Sequence, residues 1–173
     1  MEPFLEFAKL IIPAAAVLYG MFLVIKLFIQ KELDKGNLDI RAKNSEIILP
    51  LRLQAYERIS LFLERVAPNN LVVRVRDNSF SAGQFHHALL NDIREEFNHN
   101  LSQQIYVTEE AWNLVKGAKE EVISVINQSA KGLSPEAKSI DLAKKIFEIM
   151  LERKNDPTAI ALSEIKNEVR KLF

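Results

Sequence analysis

Residues Leu10 to Ile29 read LIIPAAAVLYGMFLVIKLFI, with Lys26 the only charged side chain among them. At about 1.5 Å of rise per residue, a helix of this length matches the roughly 30 Å hydrocarbon core of a bilayer. A soluble helix keeps a polar stripe, and Leu10 to Ile25 has none. A cleaved signal peptide needs a basic start and small residues after its apolar run. Here Glu2 and Glu6 stand against Lys9, and Ala14, Ala15 and Ala16 open the run instead of closing it. The sequence therefore predicts a retained membrane span. Pro13 falls in its first turn, where the missing N–H has no helical partner anyway. Lys26, one turn from the end, can lay its stem along the apolar surface and carry its ammonium to the headgroups. Ala16 and Gly20 form a small-xxx-small pair of the kind that lets two membrane helices approach.

The flanking charges set a direction. Lys9 stands alone on the N-terminal side, whereas the C-terminal side has Lys26 in the last turn of the span and Lys31, Lys35, Arg41 and Lys43 after it. The positive-inside rule then places the N-terminus outside and everything after Ile29 in the cytoplasm. Glu32, Asp34 and Asp39 lie among the basic residues and weaken any attraction to anionic lipid.

Beyond the anchor, roughly 140 residues remain, enough for one compact domain. The chain has a formal net charge of zero and no Cys. The first argues against broad electrostatic binding of nucleic acid. The second rules out disulfides, thiolate metal sites and cysteine nucleophiles.

The predicted architecture is all-α: an N-terminal transmembrane helix followed by a cytoplasmic bundle of about five amphipathic helices. Residues 1–35 form the anchor and its juxtamembrane extension, with Gly36 as C-cap. Residues 36–48 read as a polar linker, and residues 49–173 as the helical domain. The first domain helix is expected from Pro50 to about Val66, with Ala55, Ile59, Phe62 and Val66 on its buried face. LVVRVR (Leu71–Arg76) has strand character but no partner strand, so an extended connection or a short helix is expected there. Ser81 to His99 forms the second helix around Phe85, Leu89, Ile93 and Phe97. Thr108 caps the third, buried through Trp112, Val115, Val122 and Ile126, and Gly132 closes it. Ser134-Pro135-Glu136 opens the fourth, with Ile140, Ala143, Phe147 and Met150 inward. Asp156-Pro157 opens the fifth, with Ala161, Ile165, Val169 and Leu172 inward.

The residues that could carry chemistry gather at the junction of the second and third helices: Asp92, Glu96, His99, Asn100, Gln103, Gln104 and Tyr106. Glu96-x-x-His99 has the spacing of a helical-bundle di-iron ligand pair, but those sites need a second such pair and two further Glu residues. His86 and His87 are the only other histidines, and neither follows a Glu by three. No metal or other cofactor is expected. Glu96 falls near the centre of an apolar stripe and needs a cation; Arg52, Arg58, Arg74 and Arg76 are the candidates. A structural polar cluster is the preferred reading, with a partner or ligand contact as the alternative. Arg74 and Arg76 are a further candidate for an anion contact. Phosphate-loop, His-Glu-x-x-His and Gly-x-Ser-x-Gly templates do not occur.

LPLRLQAYERISLFLERVAPNNL (Leu49–Leu71) and REEFNHNLSQQIYVTEEAW (Arg94–Trp112), behind a single N-terminal span, resemble a family of uncharacterised single-pass membrane proteins of Bacteroidota-type bacteria. The resemblance implies a bacterial inner-membrane location and carries no activity with it. The expected function is that of a non-enzymatic, membrane-tethered adaptor or accessory subunit of an inner-membrane complex, with a protein partner. A membrane-anchored enzyme or ligand-binding module using residues 92–106 is the second expectation, and a homo-oligomeric structural membrane protein the third.

Overall fold

The computed structural model describes residues 2–153 and 156–171; of these, the side chains of residues 2–10, 12, 14, 34, 36–42 and 44 lie outside the description. Every regular element among the described residues is helical. In chain order they are α1 (Glu2–Val66), α2 (Pro68–Val75), α3 (Ala82–Asn100), a 3-10 turn (Leu101–Ile105), α4 (Glu109–Ala130), α5 (Ser139–Glu152) and α6 (Pro157–Arg170). The chain divides into two compact units, Met1–Leu49 and Pro50–Phe173.

The first unit is the leading part of α1. From Ile11 to Ile48 every described side chain is exposed, apolar and charged alike. The C-cap expected at Gly36 and the linker over 36–48 are both replaced by helix, since α1 runs through them unbroken. One isolated Gly costs a helix about 1 kcal/mol, which is too little to end it among neighbours that tolerate helix. The division between units coincides with Pro50, which has no N–H to offer the carbonyl four residues back.

Among the described residues, no helix is long and apolar enough to cross a membrane. Leu10, Ile12 and Ala14 of the expected span lie outside the described side chains, as do Lys9 and Arg41 of its flanks.

The second unit packs around α4, which touches α3, α5 and α6, while α2 packs on α3 and α5. The last turns of α1 send Tyr56, Ile59, Phe62, Leu63 and Val66 into the same core, which α3 enters with Phe85, Leu89 and Ile93. LVVRVR is helical: Pro68 takes the first turn, and Leu71 and Val72 are buried while Val73 points to solvent. With no strand to pair with, the segment satisfies its backbone internally and buries one face.

Helix starts follow local chemistry except in one place. Ser81 and Gln84 make a reciprocal capping box for α3. Thr108 caps α4, and Asp156 with Pro157 opens α6. Leu172, assigned inward on that last helix, lies outside the described residues. The exception is α5, which begins at Ser139 instead of at Ser134-Pro135-Glu136. The Pro135 and Ala137 carbonyls accept the Gly83 and Ala82 N–H groups at 2.9 and 2.7 Å, and Ser139 N–H donates to the Phe80 carbonyl. Two donors that every helix N-terminus leaves orphaned are thus satisfied by this segment, and that tertiary use overrides the Ser-Pro-Glu start signal. Gly83 permits the approach, because a Cβ there would meet Pro135 Cβ at 3.3 Å.

Gly132 ends the turn after α4 with φ at +80°. Gly132→Ala is expected to lower stability by about 1 kcal/mol, since an L side chain is strained in that region. Denaturant midpoints at constant m-value measure this, and no change would mean that the turn relaxes.

Candidate functional site

The chemistry-bearing residues of the α3–α4 junction do not form one site. Asp92, Glu96 and Asn100 follow one another at four-residue spacing on α3 and share a face. Opposite them stand arginines of α1 and α2. Arg74 grips Asp92 with both terminal nitrogens at 2.8 and 2.7 Å, a bidentate pair, and also donates to the Arg65 carbonyl. Arg65 donates to Glu96 Oε1 from Nε at 2.6 Å and from Nη2 at 2.5 Å. Arg58 donates to Asn100 Oδ1 at 3.3 Å and to the His99 carbonyl at 3.1 Å. Asn100 is buried, and its amide nitrogen returns to the Glu96 carbonyl at 2.8 Å.

This ladder corrects the expected partner of Glu96. Of Arg52, Arg58, Arg74 and Arg76 none takes it; Arg65 does, because residues 58 and 65 are seven apart on α1 and present to the same side of α3. The hydrogen bonds that Arg74 donates to Asp92 raise its guanidinium above its ordinary pKa, against a smaller effect of burial. Arg74 is therefore spent on a carboxylate rather than held open for an anion. Arg76 is exposed and makes no ion pair among the described residues.

Tyr106 belongs to a second constellation. Its carbonyl accepts Arg52 Nε at 3.1 Å, and Arg52 Nη2 donates to the Tyr56 hydroxyl at 2.9 Å. Glu168 of α6, only 8% exposed, completes the group. Its Oε1 accepts the Thr108 N–H at 3.0 Å, while its buried Oε2 has no hydrogen-bond partner among the described residues. In an ordinary capping box the third helical residue reaches back to the cap N–H. In α4 that residue is Ala111, whose N–H donates to Thr108 Oγ1 but whose side chain cannot reciprocate. Glu168 supplies the missing half from another helix, where the α4 dipole favours a carboxylate. Burial raises the Tyr56 hydroxyl above its ordinary pKa; the Arg52 hydrogen bond opposes this rise and Glu168 adds to it.

The remaining candidates turn away from both groups. His99 and Gln104 are exposed, and Gln103 is half-buried with its amide on Ser102 Oγ. No three His, Asp or Glu side chains among the described residues are placed to share a metal ion. His86 lies with its Nε2 2.8 Å from Asn127 Oδ1. It lines a cleft of about 220 Å³ with Ala82, Gly83, His87 and Pro135, below the roughly 300–1,000 Å³ of typical ligand pockets. Glu168 was missed by sequence reasoning. Its signal was the one that marked Glu96, a carboxylate on an apolar stripe, here three residues after Ile165.

A family model described as a family of unknown function, DUF7935, matches residues 2–172. The chain belongs to the DUF7935 family. The match runs through α1, including its apolar segment, as well as through the helical unit, so both are parts of what defines a DUF7935 member. No curated protein and no solved structure matches the chain.

Proposed function

We propose that this DUF7935 member is a non-enzymatic adaptor tethered to a bacterial inner membrane, with Leu10–Ile29 in the lipid, the N-terminus outside and the helical unit in the cytoplasm. The observation that carries the reading is the state of α1. Between Ile11 and Ile29 the large apolar side chains are 40–69% exposed. Soluble monomers rarely expose a contiguous apolar patch beyond a few hundred Å², and a bilayer is the environment in which such a helix is at home. Lys26 in the last turn of this segment and Lys31, Lys35 and Lys43 after it support the cytoplasmic side by the positive-inside rule.

The adaptor role follows from how the second unit spends its polar groups. The carboxylates of Asp92, Glu96 and Glu168 are committed to arginines and a backbone N–H, which suits them to hold helices together rather than to turn over a substrate. Among its outward residues, Leu61 and Val73 are 55% and 74% exposed beside a groove of about 350 Å³ between α1 and α2, rimmed by Glu64, Arg65 and Arg74. A partner helix laying apolar side chains into such a groove is a common mode of recognition.

Membrane fractionation tests the tether. The full chain is expected to stay in the membrane pellet after alkaline extraction, with a C-terminal reporter active in the cytoplasm. Release into the supernatant would overturn the anchor, and a reporter active only in the periplasm would reverse the orientation. Affinity capture from detergent extracts, repeated with Leu61→Asp and Val73→Asp, tests the adaptor role. A partner retained equally by both variants would remove the groove from the reading.

A further inference from the structure

Two groups in the constellation of Arg52, Tyr56 and Glu168 are left over, and they complement each other. Tyr56 is buried, and its hydroxyl accepts Arg52 Nη2 at 2.9 Å. A hydroxyl that accepts still has its own proton to give. Glu168 Oε2 is the buried acceptor with no hydrogen-bond partner among the described residues. The two side chains already act on each other: burial and then Glu168 raise the pKa of the hydroxyl, while Arg52 opposes them. A buried carboxylate is costly without donors and a cation. Glu168 makes no ion pair among the described residues, so Arg52, one hydroxyl away, is the cation that serves it.

We propose that the Tyr56 hydroxyl gives its proton to Glu168 Oε2, forming a latch that makes the cap of α4 conditional on the seating of α1. The bonds run from Arg52 through Tyr56 to Glu168 and end at the Thr108 N–H, which Glu168 Oε1 accepts at 3.0 Å. Arg52 also donates to the Tyr106 carbonyl at 3.1 Å, so α1 holds the approach to α4 directly as well as through α6. Pro50 opens this unit and offers no N–H to the carbonyl four residues back, which makes α1 easiest to bend just ahead of Arg52. Arg52 and Tyr56 stand one turn apart beyond that point, so a bend withdraws both together. Glu168 is then a buried charge with neither donor nor cation. It turns to water, and the Thr108 N–H loses its acceptor. The latch works wherever the segment before Pro50 lies, and so stands apart from the membrane reading.

Hydrogen exchange of the full chain in detergent micelles reads the coupling. Arg52→Gln and Tyr56→Phe are each expected to speed exchange over Thr108–Trp112 by at least about five-fold, the scale of coupling within one hydrogen-bond network. The capping box of Ser81 and Gln84 on α3 should stay unchanged and serves as the control. In a Glu168→Gln background there is no charge to compensate, and the same two substitutions should add less than about two-fold. By reciprocity, Glu168→Ala should speed exchange over Arg52–Tyr56. Acceleration of equal size in both backgrounds, or none in either, overturns the latch. So does unchanged exchange over Arg52–Tyr56 in Glu168→Ala. Arg52→Gln also removes the bond to the Tyr106 carbonyl, so Tyr56→Phe, which keeps that bond and the ring, decides where the two disagree.

Discussion

Replacing Phe62 by alanine is expected to lower the stability of the helical unit by about 3–5 kcal/mol, the range for removing a fully buried phenyl ring. Phe62 is 1% exposed and lies in the last turns of α1. Its ring meets Phe97 of α3 at 5.8 Å between centroids; Phe97 stacks on Trp112 of α4 at 5.5 Å, and Lys119 sits 4.3 Å over the Phe97 face. The chain of contacts joins three helices, so the cavity cannot close by moving one of them. Against a typical domain stability of about 5–15 kcal/mol, the loss takes a large share. Thermal unfolding of the full chain should show a midpoint lowered by about 10 °C or more. A shift of only a few degrees would show that the helices collapse onto the gap and that α1 is not the keystone of this packing.

The second large effect is at Glu168, where two substitutions are expected to separate. Glu168→Ala leaves the Thr108 N–H without its acceptor and removes the reciprocal half of the α4 cap, while Thr108 Oγ1 keeps the Ala111 N–H, at a cost of about 2 kcal/mol. Glu168→Gln keeps an oxygen for Thr108 and fills the same volume. It also removes a buried charge whose Oε2 has no hydrogen-bond partner among the described residues. Its cost should be under about half of the alanine cost. Hydrogen exchange adds a local readout, with faster exchange in the first turn of α4 for Glu168→Ala and near-normal exchange for Glu168→Gln. Equal destabilisation by both would show that the charge, acting through Arg52 and Tyr56, matters more than the cap.

Much of the candidate site was legible in outline. A carboxylate at the centre of the Phe85-Leu89-Ile93-Phe97 stripe announced that Glu96 needs a cation. Composition and spacing could not name that cation. Five arginines of α1 and α2 lie within reach in sequence terms, and only the approach of α1 to α3 selects Arg65 for Glu96 and Arg74 for Asp92. The grouping of seven polar residues into one cluster failed for the same reason. Neighbours in sequence at the 3-10 turn point to different sides, so Tyr106 joins Arg52 and Glu168 while His99 and Gln104 face solvent.

What the sequence determined by itself was set by periodicity and caps: the all-helical class, the buried faces of α1, α3 and α4, and the helix starts at Ser81, Thr108 and Asp156; on α5 Leu142 and Ile146 are buried, whereas Ile140, Phe147 and Met150, expected inward, are half-buried. These are local properties, because side-chain spacing and the first-turn N–H groups involve residues within one or two turns. Tertiary structure decided three other things. It moved the start of α5 to Ser139, because the Pro135 and Ala137 carbonyls are taken by the N-terminus of α3. It chose which arginine meets which carboxylate, and it brought Glu168 to cap α4 from 60 residues away. In each case a polar group left unsatisfied by its own helix found its partner on another, and no local pattern encodes where a second helix will lie.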